Sequence, residues 1–85
     1  MAEKVYLNDK LIDADKAAIT ASDSGFLYGA GLFETMRAHK GVVFALDDHL
    51  DRLAFSARSL AIDAPYDKDY ICRAVYETLA ANGLE

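Results

Sequence analysis

The stretch from Ser22 to Leu60, SDSGFLYGAGLFETMRAHKGVVFALDDHLDRLAFSARSL, constrains this chain more than any other. It sets a glycine-punctuated loop, an alternating segment, a tight connection, an apolar run and an amphipathic segment in one unbroken order. Gly25, Gly29 and Gly31 suit close backbone approach or positive φ. From Leu32 to His39 the strand period of two puts Phe33, Thr35, Arg37 and His39 on one face. Leu32, Glu34, Met36 and Ala38 take the other. His39-Lys40-Gly41 closes a hairpin onto Val42 to Leu46. Asp47-Asp48 then supplies a helix N-cap and an acidic first turn, with Leu50, Leu53, Ala54, Ala57, Leu60 and Ala61 following at helical spacing.

The flanks add less. Lys4 to Leu7 reads as a strand, Asn8-Asp9 as a two-residue turn and Lys10 to Ile12 as its partner. Ala17 to Thr20 reads as a third short extended piece. Asp63-Ala64-Pro65 stops the first helix, because a proline disfavours helical geometry at the residue before it. Asp67 caps a second helix whose apolar stripe is Ile71, Ala74, Val75, Thr78 and Leu79, and Asn82-Gly83 ends it. The expected fold is α+β, a small antiparallel sheet with two helices on one face. A sheet of this kind commonly continues into further strands, so residues 1–85 are expected to be one lobe of a longer protein.

Composition bounds the function. With 53% hydrophobic and 27% charged residues the chain is globular, although at this length only about 60–65% of the unfolded surface is buried on folding. The net charge of −5 argues against nucleic-acid binding, which favours basic surfaces. The single cysteine, Cys72, rules out an internal disulfide and fits a reducing, cytoplasmic setting. It lies beside the second helix's stripe and reads as a small buried hydrophobe. No segment has the length and hydropathy of a membrane span or a secretory leader.

The candidate chemistry is sparse. His39 and His49 lack metal-ligand spacing, and Gly25, Gly29 and Gly31 match neither phosphate-binding fingerprint. Arg52 lies early in its helix, off the apolar stripe. It either pairs with Asp48 or Asp51 as a solvated ion pair or presents a fork to an anion such as phosphate. Phe33, Thr35 and Arg37 form a row that either faces solvent or lines an anion-accepting pocket. Glu34, a lone acid on the apolar row, needs a partner, for which Arg58 is one candidate. Tyr28 is a pocket hydroxyl or a loop anchor.

The block Asp23 to Arg37, DSGFLYGAGLFETMR, followed by His49-Leu50-Asp51-Arg52-Leu53, resembles the class IV, or fold type IV, pyridoxal-phosphate aminotransferases. That family includes branched-chain aminotransferases, D-amino-acid aminotransferases and aminodeoxychorismate lyase. The resemblance runs from the first hairpin through the second helix and matches the family's small N-terminal domain. It implies pyridoxal 5'-phosphate as cofactor, with Arg52 at its phosphate and Phe33, Thr35 and Arg37 lining the substrate pocket. Arg52 and that row would then face a common cavity. Tyr28 falls in the loop that approaches the neighbouring subunit's site in family homodimers.

The implied reaction moves an amino group between a branched-chain-like amino acid and a 2-oxo acid. A lyase of the aminodeoxychorismate type and a non-catalytic binding or assembly module are the alternatives. Ser24 stands where many members carry arginine and Ala30 where many carry aspartate, so substrate details do not transfer. The family's Schiff-base lysine lies in its second domain, and none of Lys4, Lys10, Lys16, Lys40 or Lys68 matches its motif. The lobe alone is therefore expected to be inactive, since the covalent chemistry needs a positioned amine.

Overall fold

Two tight turns of one kind set both hairpins. Asn8 and Asp9 have φ of 49° and 74°, and Lys40 and Gly41 have φ of 50° and 79°. Positive φ at both central residues is the type I′ condition, whose twist matches that of the strands it joins. The first turn joins β1 (Lys4–Leu7) to β2 (Lys10–Asp13), in antiparallel register from Lys4 opposite Asp13 to Leu7 opposite Lys10. The second joins β3 (Ala38–His39) to β4 (Val42–Val43), with Ala38 opposite Val43. The computed structural model describes residues 3–29, 31–63 and 65–84.

Between the hairpins the chain departs from expectation in three places. Ala17 to Thr20 forms no ladder and follows a 3-10 turn over Ala14–Lys16. The glycine-punctuated loop holds a short helix, α1 (Ser24–Tyr28). The Asp23 carboxylate accepts the Gly25 N–H at 2.8 Å, and Gly29, at φ 67°, ends the helix in the left-handed region. Ala30 lies outside the described residues. From Leu32 to Arg37 the chain carries no ladder, yet it keeps the expected alternation: Leu32, Glu34 and Met36 are half-buried, Phe33, Thr35 and Arg37 exposed.

Helix α2 spans Leu46–Ser59. Its N-cap is Ala45 in the left-handed region at φ 53°, with no side-chain cap, so Asp47 and Asp48 complement the dipole from within the first turn instead of capping it. The helix ends ahead of Pro65, by backbone alone. The Ala61 N–H donates to the Arg58 carbonyl and the Ile62 N–H to the Ala57 carbonyl, with Ala61 at φ 56°. That is a Schellman closure with alanine where glycine is preferred. Leu60 and Ala61 therefore leave the apolar stripe, Leu60 being 60% exposed. Ala64 lies outside the described residues.

Helix α3 (Lys68–Ala81) follows expectation at both ends: the Asp67 carboxylate accepts the Tyr70 N–H, and Gly83 closes the C-terminus at φ 67°. Asn82 ties this end to β1. Its Oδ1 accepts the Lys4 N–H at 2.7 Å, and its Nδ2 donates to the Lys4 carbonyl at 3.0 Å. The Val43 N–H donates to the Tyr76 hydroxyl, drawing the second hairpin to the same helix. The architecture is an α+β lobe of 35 × 30 × 18 Å. Val43 and Leu50 form its buried apolar core among the described residues.

Candidate functional site

Glu34 sits on the inward row between Leu32 and Met36, where a carboxylate without partners would be costly. Two residues one helical turn apart on α2, His49 and Arg52, meet it there. The Arg52 Nε donates to Glu34 Oε2 at 2.9 Å and its Nη2 to Oε1 at 2.7 Å. His49 Nδ1 lies 2.6 Å from Oε1. The sequence reading offered Arg58 for Glu34, and Asp48 or Asp51 for Arg52; the structure pairs Glu34 with Arg52. Asp51 instead meets Lys68 Nζ at 3.1 Å.

The electrostatics fix the proton inventory. Hydrogen bonds from Arg52 and then His49 pull the Glu34 carboxyl down from 4.5 to about 2, while the bond to Glu34 raises Arg52 further above its ordinary value. An ionised carboxylate only accepts, so the proton between Glu34 and His49 belongs to Nδ1. Nδ1 then has no lone pair for Arg52, and the 3.2 Å approach of Arg52 Nη2 to it is proximity, not a bond.

Exposure divides the trio. Glu34 and His49 are largely covered, their side chains 11% and 17% exposed. The Arg52 side chain is 63% exposed. Its side edge, Nε and Nη2, is committed to Glu34, and the Nη1 donors make no hydrogen bond among the described residues. The result is a guanidinium held along one edge and open along the other, the shape that accepts an anion in bidentate fashion.

The remaining predicted site residues lie apart from this trio. Phe33, 86% exposed, and Thr35 and Arg37, also exposed, occupy the outward row, opposite the one that carries Glu34. Arg37 borders an apolar groove of about 320 Å³ between the second hairpin and α3. Tyr28 projects at 80% exposure from the end of α1. The three main cavities are lined by other residues than Arg52, Tyr28, Phe33 and Thr35. Along Leu32 to Arg37 the alternation leaves the row on the exposed side and Glu34, the partner of Arg52, on the half-buried one. Cys72 is half-buried on α3.

Of the five lysines, Lys4 and Lys16 pair with Asp13, and Lys68 bridges to Asp47 and Asp51. Lys68 is pushed up by its bond to Asp51, away from the lowered range of an amine nucleophile. Among the described residues there is no cluster of three metal-ligating side chains, and no helix is long and apolar enough to cross a membrane. Sequence reasoning missed His49 as a partner of Glu34. The signal was present, since His49 and Arg52 are three apart on one helix and share a face.

The sequence profile of amino-transferase class IV matches residues 31–85. The chain belongs to the class IV aminotransferase family. A Methanocaldococcus jannaschii protein named for branched-chain-amino-acid aminotransferase activity is 49% identical over 81 residues, which are 95% of this chain and 28% of that protein. The crystal structure of a branched-chain aminotransferase from Thermoproteus uzoniensis, with norvaline, superposes at a TM-score of 0.88 and 38% identity, covering 98% of this chain and 29% of that one. An aminodeoxychorismate lyase of Bacillus subtilis is 33% identical over 81 residues, 95% of this chain and 28% of the lyase. The chain thus spans less than a third of the length of these class IV relatives.

Proposed function

We propose that this chain is the N-terminal lobe of a pyridoxal-phosphate-dependent aminotransferase that moves an amino group between a branched-chain-like amino acid and a 2-oxo acid. The observation that carries the reading is the Arg52 guanidinium, fixed along one edge by Glu34 and open along the other. The donor chemistry fits a phosphate monoester: a permanent cation with unused N–H groups in a fork. When bound, pyridoxal phosphate supplies the carbonyl that takes up and returns the amino group and the electron-poor ring that stabilises developing charge.

In this reading Arg52 neutralises and orients the phosphate. Arg37 offers charge to the substrate's carboxylate, while Phe33 and Thr35 shape the space for its side chain. Tyr28 borders the neighbouring subunit's site in a homodimer. Both the row and the guanidinium are open to solvent, and the cavity uniting them is completed by sequence outside the lobe. The amine nucleophile comes from there too, for none of this chain's lysines matches the family's motif. Transamination is favoured over elimination because the relative named for branched-chain aminotransferase activity matches at 49% identity and the lyase at 33%.

The test is an assay of the protein encoded by the full reading frame. Leucine, isoleucine and valine should be consumed with a 2-oxo acid acceptor, and the 85-residue chain alone should show no turnover. Pyruvate release from aminodeoxychorismate, without amino transfer, would replace the transaminase reading with the lyase one. A full-length protein inert toward both would leave a binding or assembly module.

A further inference from the structure

We propose that Glu34, braced by His49, is a positioning residue that aims Arg52 at the cofactor phosphate; this rests on the assignment of Arg52 made above. Three observations converge on it. First, Arg52 passes over the acids of its own helix and bonds instead to a residue 18 positions earlier in the chain, through two N–H groups at 2.9 and 2.7 Å. A contact across elements fixes direction in a way that a pair within one helix turn does not. Second, the carboxylate doing this is itself 11% exposed and receives His49 Nδ1–H at 2.6 Å, so it cannot swing out with the arginine. Third, the Arg52 side chain is 63% exposed and its Nη1 donors make no hydrogen bond among the described residues.

Two effects of Glu34 on an incoming phosphate oppose each other. Its negative charge lowers the net positive potential at Arg52, which weakens anion binding. Its bidentate grip removes torsional freedom from a long side chain, which strengthens binding because that ordering is done before the ligand arrives. At a guanidinium 63% exposed, water screens the charge term heavily, whereas the ordering term is untouched by solvent. Pre-orientation therefore wins, and removing Glu34 weakens phosphate binding.

The test uses the full-length protein freed of cofactor, titrated by absorbance with pyridoxal phosphate and, separately, with pyridoxal, which lacks the phosphate. E34Q should bind pyridoxal phosphate on the order of tenfold more weakly, the scale on which orienting partners act, and bind pyridoxal unchanged. General damage to the lobe would weaken both ligands alike and overturn the proposal. So would an E34Q that binds pyridoxal phosphate as tightly as the parent, or more tightly, for Glu34 would then compete for the guanidinium. R52A separates the two layers of the reading. If it leaves the preference for the phosphorylated ligand intact, the assignment of Arg52 itself fails; if it abolishes the preference while E34Q does not, only the role of Glu34 fails. On the R52A background E34Q should add nothing, since the two act through one contact. Should E34Q not fold, E34D keeps the charge, withdraws it by one methylene and should show the same ligand-selective loss.

Discussion

At the scale of single residues, the Glu34 carboxylate makes the clearest prediction because its ionisation is displaced so far. Held at about 2 against an ordinary 4.5, it stays charged in the folded protein at acidities where the unfolded chain already binds a proton there. The unfolded state therefore takes up more protons across that interval, and stability falls as pH drops from about 4.5 toward 2. Other carboxylates titrate in the same range, so the quantity to measure is the difference between parent and E34Q in urea midpoint at stepped pH. The gap between the two should close as the medium is acidified through this window; a gap independent of pH would mean that the carboxylate is not held by Arg52 and His49. Much of this was legible in the letters: an acid on an apolar row demands a partner, and His49 and Arg52 share a helix face. Which cation answers was not legible. Arg52 and Arg58 lie on the same helix, and only the docking of α2 against the 32–37 segment chooses between them.

At the scale of elements, reading succeeded where the deciding chemistry is local and failed where it is not. The two I′ turns, the Asp67 cap and the Asn82-Gly83 terminus each depend on one or two residues whose φ preference or side-chain reach is intrinsic. Helix α1 escaped because five residues complete too little of a turn pattern to show periodicity, although Asp23 and Gly29 bracket it as caps. The strand expected from Leu32 to His39 keeps its alternation as far as Arg37 but forms a ladder over Ala38–His39 alone, since a ladder needs a neighbour that periodicity does not supply. The end of α2 was misplaced toward Pro65 because a Schellman closure through Ala61 has no glycine to announce it. That closure also carries a liability. An alanine at φ 56° pays the left-handed penalty of its Cβ, which glycine avoids at some cost in unfolded-state entropy. A61G should therefore stabilise the protein by about 0.5–1 kcal/mol, read as a higher urea midpoint at unchanged slope. A lower midpoint would show that the alanine methyl makes a packing contact worth more than the strain.

At the scale of the whole molecule, the balance between what is covered and what is not sets the behaviour of the isolated lobe. Val43 and Leu50 are buried among the described residues, whereas Phe33, Phe44, Phe55, Val42 and Leu60 are between 60% and 86% exposed. Single exposed apolar side chains are ordinary, but large contiguous patches mark surfaces that meet another body. The short hairpins add unpaired strand edges, which template association. The net charge of −5 opposes close approach, but screening confines that repulsion to roughly 8–10 Å at ordinary salt, so apolar contact prevails once two copies meet. Produced alone, the lobe should accordingly associate with itself, its weight-average mass in sedimentation rising with concentration and with added salt. F44E and F55E place a charge on two exposed apolar positions and should shift the lobe toward monomer. In the full-length protein the same two substitutions distinguish how each patch is covered: one that lies beneath the rest of the protein will lower the unfolding midpoint when charged, and one that stays open will not. A lobe that sediments as a monomer at every concentration would mean that its exposed aromatics are dispersed too widely to act as a patch.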